Sequence, residues 1–429
     1  MFRWAGLVVS TLFWATCAYS DSLLTLDRAL RAENIQVQRA NQNVLVSQAR
    51  RDQAASGFGP QVRFNVSGSR TERRQSGFKQ RFLGEDYSIT LSQPVFDRPR
   101  FLEPDRLDAL TERSMAGELR TLQERRLSLL QSFAEWVEAL EHLRLLDERF
   151  QNLVQRREQV AQLFNSQRVS VTELLTVENE LERVRVELVT TQATLARTES
   201  LIDSLIGSSV QLDWTPVPMT DVWAFDDLKS PPEPQQIYPA LVEARANVEA
   251  SRIAVNQAIG TVLPTVNAEL AVRHTNIGAN DTETELVDTY TARLTMSWAL
   301  YDSGDREARI REATLILRDS ELALMELERD LQRQQLTLEV EMQRAEAAWR
   351  AAKAERDSAR KLVEAANRSF EVGVGDLGDS LVALDRLIDA KMRVSSTWLS
   401  GFLAAVRIAE NANQLDEGMM LVLSDLVSQ

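Results

Sequence analysis

The chain has 429 residues, of which 44% are hydrophobic and 26% are charged, so it is long enough to bury more than one domain core. Its 63 acidic residues outnumber its 49 basic ones, and a formal charge of −14 disfavours phosphate backbones, so no nucleic acid partner is expected. With two histidines and one cysteine, the sequence offers no zinc cluster, disulfide framework or thiol nucleophile. We therefore predict no enzyme, no catalytic residue, no cofactor and no metal site.

Residues 1–20 are predicted to be an export signal. A basic residue precedes the apolar run 4–18, which is too short to span a bilayer comfortably, and the small residues that signal peptidase needs come next. We expect cleavage after Ser20. The alternative is a lipoprotein in which Cys17 becomes the acylated first residue, although the residues before it fit such a signal less well.

The mature chain is predicted to be an internal duplication with an offset of about 205 residues. Pro60-Gln61-Val62 matches Pro264-Thr265-Val266, and residues 164–181 align with 370–387. Each half has a helical stretch (roughly 26–57 and 236–260), two alternating segments, a very long helical run, a short break and a shorter helix. The predicted parts are a first repeat over 21–207, a proline-containing connector over 208–235, a second repeat over 236–411 and a C-terminal tail over 412–429.

The long helical run of the first half is predicted from about Glu103 to Ser166. Apolar residues such as Phe133, Val137 and Leu140 recur there at alternating spacings of three and four, which is typical of a stripe that packs against neighbouring helices. An ordinary soluble bundle has the same stripe. However, roughly 60 residues make a helix on the order of 90 Å long, several times the width of a compact domain.

The alternating segments predict four half-buried strands. Val62, Phe64 and Val66 alternate with polar residues, and the second half repeats the pattern from Val266 to Val272. Each segment has about ten residues, the length of a tilted transmembrane strand, although two hairpins lying on a helical core are the alternative. Four strands cannot close a barrel, whereas three chains would supply twelve and enclose a lumen.

Two motifs carry a resemblance to a known family. The strand end from Ser92 to Asp97 has its counterpart at 297–302, and the helix break at 370–381 places Gly373 and Asp379 in a Phe-x-x-Gly-type motif. The first break has Gln167 and Glu173 at those two places. Together with the export signal and the duplication, these motifs resemble the TolC family of outer-membrane efflux proteins over essentially all of the mature chain.

The resemblance implies a mainly α fold with membrane β structure: a homotrimeric, 12-stranded β-barrel with four strands per chain, continued by a long periplasmic α-helical barrel. It implies a passive exit duct in the cell outer membrane for a tripartite efflux or type I secretion system. The implied partners are a periplasmic adaptor (membrane fusion) protein, an inner-membrane transporter of RND or ABC type, and outer-membrane lipid. The alternative function is a periplasmic coiled-coil adaptor or scaffold.

The helix breaks are expected to form the periplasmic tip, because they lie farthest from the strands in sequence. The predicted contacts with the adaptor are Arg168, Ser170, Gly373 and Gly375. Beside them, Asp379, Asp376 and Glu173 are expected to form an acidic constriction at the periplasmic entrance. The alternative is that these carboxylates cap the helices that follow the breaks.

The ends of the two hairpins carry charges of opposite sign and are predicted to be extracellular loops. Attraction between neighbouring loops would narrow the mouth of the channel, although exposed pairs are weak and independent loops are the alternative. The basic loop contains Arg70, Arg73, Arg74, Lys79 and Arg81, and the acidic loop contains Asp281, Glu283, Glu285 and Asp288.

Overall fold

A computed structural model describes residues 22–75, 78–167, 169–208, 222–225, 238–279, 283–372, 374–375 and 377–428. The export signal, and all of the connector except 208 and 222–225, lie outside these residues. The chain divides into two compact units. The first unit comprises Met1–Ala40, Glu118–Pro239 and Glu328–Gln429, and the second comprises Asn41–Gly117 and Ala240–Leu327.

The described helices and strands follow one another in the order in which the sequence predicts them. They are α1 (Ser22–Glu33), α2 (Ile35–Ser56), β1 (Gln61–Gln75), β2 (Phe78–Phe96), α3 (Arg98–Phe101), α4 (Glu103–Asn165), α5 (Val171–Ile206), α6 (Pro239–Gly260), β3 (Thr265–Ala279), β4 (Glu283–Ser297), α7 (Asp305–Glu371), α8 (Leu377–Asn411) and α9 (Glu417–Ser428). The mainly helical fold class with four strands per chain is thereby confirmed. Within the described helices, none combines the length and the hydropathy that a membrane span requires.

The second unit contains one antiparallel sheet in the order β1-β2-β3-β4. Its strands have 15, 19, 15 and 15 residues, so the prediction of about ten residues per strand was wrong. Backbone pairing continues to Gln75↔Phe78 in the first hairpin and to Ala279↔Glu283 in the second. Apolar alternation marks only the part of a strand that lies against an apolar environment, whereas the hydrogen-bond ladder extends into charged sequence.

The charged residues that were predicted to lie in loops lie in strands instead. Asp281 falls outside the described residues. The others are Arg70, Arg73 and Arg74 in β1, Lys79 and Arg81 in β2, and Glu283, Glu285 and Asp288 in β4. Cross-strand pairing therefore fixes their backbone, and their attraction around a channel mouth stays a prediction.

The first unit is built on long helices. The run predicted from Glu103 to Ser166 is α4, and its stripe residue Phe133 is buried in a cluster with Trp398 and Phe402 of α8. From the connector, Trp223 packs on Trp349 with ring centroids 5.6 Å apart. A Cβ atom at Gly401 would overlap the Trp223 indole, so a glycine at this position of α8 makes the close approach possible.

The helix predicted over 26–57 is divided at Asn34. The side-chain oxygen Oδ1 of Asn34 accepts from the Gln36 and Val37 backbone N–H groups at 2.9 and 3.1 Å and so caps α2. Its side-chain amide nitrogen donates to the Leu205 carbonyl oxygen at 2.6 Å.

The predicted tail contains α9, whose Met420 and Leu423 belong to the same core cluster as the apolar residues of α1.

Candidate functional site

One face of the sheet carries a continuous apolar band. Residues alternate between faces along a strand, and residues opposite each other in the register share a face. Phe64, Ile89, Val272 and Tyr290 form one row across all four strands. Phe64 and Tyr290 are 63% and 77% exposed in the single chain, so this band is an apolar surface without a cover within the chain.

The opposite face of the sheet is polar and charged. Arg273 donates from Nε and Nη2 to the two carboxylate oxygens of Asp86, at 2.8 and 2.6 Å. Glu269 and Arg293 are opposite each other in the register, and Arg63 pairs with Thr90. A sheet that is apolar on one side and charged on the other suits a boundary between lipid and water.

Strands β1 and β4 are the two edges of this sheet. Each has 15 residues and presents a long row of backbone groups that no strand in the described part of the chain pairs. Four strands are too few to close a barrel, and an open edge in lipid would leave these backbone groups without hydrogen bonds. The sheet is therefore complete in a membrane only when further strands join both edges.

The first helix break is a tight turn with a capped exit. Gln167 adopts a φ of 57°, and Ser170 caps α5. The Ser170 hydroxyl accepts from the Glu173 backbone N–H at 3.3 Å, and the Glu173 carboxylate accepts from the Ser170 backbone N–H at 3.5 Å. This geometry supports the capping interpretation for Glu173, and its part in a constriction stays a prediction. Arg168 lies outside the described residues.

The second break turns back on the end of α7. The Ser369 carbonyl oxygen accepts from the backbone N–H groups of Val374 and Gly375 at 3.0 and 2.9 Å. A Cβ atom on Gly375 would lie 2.9 Å from the Ser369 Cβ, so the turn has no room for a side chain there. Asp379 is exposed in the first turn of α8, while Gly373 and Asp376 lie outside the described residues.

The second break also exposes apolar side chains that the sequence analysis did not select. Val372 is 75% exposed and Val374 is 86% exposed. Two exposed valines within three residues form a small apolar surface on the second break, next to Gly375.

A cluster that we call the break cluster consists of Arg156, Asn367, Phe370 and Ser380. Arg156 Nη2 donates to Asn367 Oδ1 at 2.8 Å and to Ser380 Oγ at 2.7 Å, and its guanidinium lies 5.0 Å from the centre of the Phe370 ring. These contacts join α4, α7 and α8. Sequence analysis found only Phe370, as a motif residue, because Arg156 is separated from Asn367 and Ser380 by 211 and 224 positions.

A second charged cluster surrounds the buried Arg149 of α4. Its guanidinium lies 2.5 Å from the Glu180 carboxylate on α5 and 2.6 Å from the Asp385 carboxylate on α8. Burial raises the pKa of Asp385, although the charge of Arg149 acts in the opposite direction. The cluster joins α4, α5 and α8 of the first unit, with Arg183 of α5 also pairing with Glu180 and Asp385.

The turns that connect strands to helices use an aspartate in both halves of the chain. Asp97 accepts from the Arg100 backbone N–H at 3.3 Å and caps α3. Asp302 accepts from the Gly304 backbone N–H at 3.2 Å and forms an ion pair with Arg306, whose hydrogen bond lowers the pKa of Asp302. The strand-end motif therefore supplies a carboxylate to each turn.

Part of the chain matches a known protein family, and the fold is similar to that of solved structures. Residues 233–397 match the family model described as outer membrane efflux protein. A search of curated protein sequences gave no match. The matched residues lie in the second half of the chain and agree with the family that the motifs resemble.

The described fold is similar to solved outer-membrane channels. The outer-membrane channel OprN is 17% identical, with a TM-score of 0.80 over 92% of this chain and 91% of that one. The outer membrane protein VceC of Vibrio cholerae is 12% identical, with a TM-score of 0.78 over 91% and 95%. The CmeC outer membrane channel of Campylobacter jejuni is 14% identical, with a TM-score of 0.78 over 99% and 98%.

These similarities cover both halves of the chain, whereas the family model covers the second half only. The outer membrane as the predicted location agrees with the family description and with the fold. Residues 233–397 are thus similar to the outer membrane efflux protein family, and the chain has the fold of solved outer-membrane channels.

Proposed function

We propose that this chain is one subunit of a homotrimeric exit duct of a tripartite efflux or type I secretion system. Three copies of the sheet would form a twelve-stranded barrel through the outer membrane, and the long helices would form a periplasmic tunnel. The duct conducts passively. An inner-membrane transporter of RND or ABC type, joined through a periplasmic adaptor protein, supplies the energy.

The observation that carries this proposal is the four-stranded sheet with one apolar face, one charged face and two open edges. Three copies give the smallest closed barrel with a lumen, since eight strands from two copies would be filled by side chains. A periplasmic coiled-coil adaptor, the alternative, needs no such sheet. The comparisons favour the channel over the adaptor.

The test is to purify the full chain from outer membranes in detergent, measure its mass and record currents in planar bilayers. We expect a trimer that requires detergent for extraction and that conducts ions across the bilayer. A monomer that is released without detergent and gives no conductance would contradict the proposal and favour the adaptor.

We further propose that the negative charge of Asp379 attracts cations and repels anions at the periplasmic entrance. The support is its exposure in the first turn of α8, next to the second break, together with threefold symmetry that would place three copies around one axis. Asp376 and Glu173 are proposed to add to this charge, Glu173 with its carboxylate also engaged in the capping box.

Replacing Asp379 with alanine distinguishes a constriction from a cap. A constriction predicts that Asp379→Ala reduces cation selectivity and weakens block by trivalent cations added from the periplasmic side. A role only in stabilising the start of α8 predicts a loss of about 0.3–1 kcal/mol of stability with both electrical properties unchanged. Glu173→Gln is compared with Asp379→Ala, because it tests the loss of charge separately from the loss of capping. The glutamine can keep the capping hydrogen bond while one charge per chain is removed.

A further inference from the structure

The apolar band on this face of the sheet ends before the strands of the first hairpin do. Beyond Val66 and its partner Tyr87, the same face of the first hairpin becomes charged. Continuing in steps of two, the positions on this face are Gly68 and Glu85, Arg70 and Leu83, Glu72 and Arg81, and Arg74 and Lys79. Basic residues therefore follow directly on the surface that faces lipid in the proposed channel.

The distances along the strand place these charges at the level of lipid headgroups. The apolar band extends from Phe96 to Tyr87 on β2, nine residues or about 30 Å of strand, and a tilt near 40° reduces this to a height of roughly 23 Å. That height corresponds to the hydrocarbon thickness that an outer-membrane barrel covers. Arg70 lies four residues beyond Val66, about 13 Å farther along β1.

The charge balance of this surface is positive. Glu72 accepts from Arg74 Nε at 2.8 Å, and its carboxylate lies 3.8 Å from Arg81 Nε. The side chains of Arg74 and Arg81 remain 73% and 59% exposed, so both guanidinium groups are accessible from outside the sheet. The register also places Arg70 and Lys79 on this face, which therefore has four basic and two acidic positions. Of the acidic ones, Glu85 accepts from the Tyr87 hydroxyl at 3.3 Å.

The second hairpin does not share this surface. At the same end and on the same face of the sheet, β4 carries Asp288, whose carboxylate lies 2.6 Å from His274 Nδ1, while Glu283 and Glu285 lie on the opposite face. The chain has a net charge of −14, so a basic surface confined to one hairpin is a local departure from its overall charge. Such a surface attracts an anion that lies at the outer rim of the membrane.

We propose that Arg70, Arg74 and Arg81 bind the phosphate groups of the anionic glycolipid that forms the outer leaflet of the outer membrane. Arginine suits phosphate because its planar donors can form paired hydrogen bonds. The inference rests on the proposed membrane-spanning sheet, since only that placement brings the hairpin next to lipid headgroups. The bound lipid would line the outer rim of each of the three first hairpins.

The test compares two double variants of the full-length protein, purified in detergent. Arg70→Gln with Arg74→Gln removes two charges from the basic surface and leaves Arg81 to pair with Glu72. Arg63→Gln with Arg293→Gln removes the same number of charges from the opposite face of the same sheet. The probes are lipid A with both phosphates and lipid A from which both phosphates have been removed, with binding followed by native mass spectrometry.

We expect the Arg70/Arg74 variant to bind phosphorylated lipid A roughly thirty-fold more weakly than the unmodified chain, at about five-fold per arginine. The Arg63/Arg293 variant should bind it as the unmodified chain does, and the lipid without phosphates should not distinguish the proteins. Equal binding by the Arg70/Arg74 variant, or an equal loss in both variants, would overturn the proposal. Complete displacement by inorganic phosphate in millimolar excess would also overturn it, because the surface would then be a site for free phosphate.

Conductance in bilayers of phosphatidylcholine separates this inference from the proposed function. If the unmodified chain conducts there and the lipid A measurements fail, the channel stands and the glycolipid site is wrong. If the chain forms no channel, the proposed function itself is wrong, whatever the outcome of the lipid measurement.

Discussion

Glu410 illustrates how a single buried carboxylate makes the stability of the helical unit depend on pH. Burial raises the pKa of Glu410, and the nearby carboxylate of Glu124 raises it further, while Arg407 acts in the opposite direction. A raised pKa means that the ionised form is less favourable in the folded state than in the unfolded chain. Tyr238 has a raised pKa for related reasons, since burial and the same two carboxylates disfavour its ionised form.

We expect Glu410→Gln to stabilise the protein at pH 7, by less than about 1 kcal/mol. Above the folded-state pKa, the ionised Glu410 destabilises the folded protein, and below the unfolded-state pKa this cost is absent. The gain of the variant should therefore shrink as the pH falls through the raised pKa. Thermal unfolding in detergent from about pH 7 down to pH 4 measures this difference.

The control for this prediction is Glu364→Gln on α7, where the carboxylate is 56% exposed and pairs only loosely with Arg368 at 3.5 Å. This variant should stay within about 0.5 kcal/mol of the unmodified protein at every pH. A Glu410→Gln variant that is less stable at pH 7, or whose gain does not change with pH, would show that burial does not govern this carboxylate.

At the scale of elements, a buried ion pair connects α1 to α4, and the same arginine also contacts the residues just before α9. Arg126 of α4 donates from Nε and Nη2 to Asp27 of α1 at 2.6 and 2.8 Å, and from Nη1 to the Leu415 carbonyl oxygen just before α9. The side chains are 4% and 0% exposed. Arg31 also approaches Asp27, at 3.2 Å.

We expect Arg126→Met to destabilise the protein by about 3–5 kcal/mol, because Asp27 would remain buried with only Arg31 as a cation. Limited proteolysis should then release a C-terminal fragment that begins near α9. Chemical unfolding measures the loss of stability.

The double variant Asp27→Leu with Arg126→Met tests the reason for the loss. Replacing both charges with apolar groups of similar size removes the unpaired carboxylate, so most of the stability should return. If the double variant were as unstable as Arg126→Met alone, the loss would come from the contact to Leu415 or from packing.

At the scale of the whole molecule, the second helix break is the place where we expect the adaptor to bind. Gly375→Val would force the Ser369 turn apart, and Val374→Asp would place a charge on the exposed apolar surface without altering the backbone. Both variants should impair export at least about ten-fold in cells that contain the adaptor and the transporter.

The measurement must include the amount of trimer in the outer membrane and its conductance in planar bilayers. The amount of trimer should be unchanged in Val374→Asp, since the altered side chain is 86% exposed and far in sequence from the strands. Normal export in both variants would place the adaptor contact elsewhere. Impaired export with loss of trimer would mean that the break serves assembly.

The sequence by itself determined the type and order of the main elements. The apolar stripe predicted α4 to within one residue of its observed ends, because a helix face is set by residues three and four apart. The alternation from Val62 to Val66 identified β1 for the same local reason, with a period of two. Capping of α5 by Ser170 and Glu173 also depends on residues three apart, and the sequence left it open beside a constriction.

Only the tertiary structure decided where the strands end, where the first helix breaks and which charges meet. The hairpins continue past the apolar alternation because pairing of backbone groups does not depend on hydropathy. Asn34 ends α1 where its amide reaches Leu205, a residue 171 positions away. The partners of Arg126, Arg149 and Arg156 lie elsewhere in the chain, and which carboxylate, amide or hydroxyl group each arginine meets depends on how the helices pack.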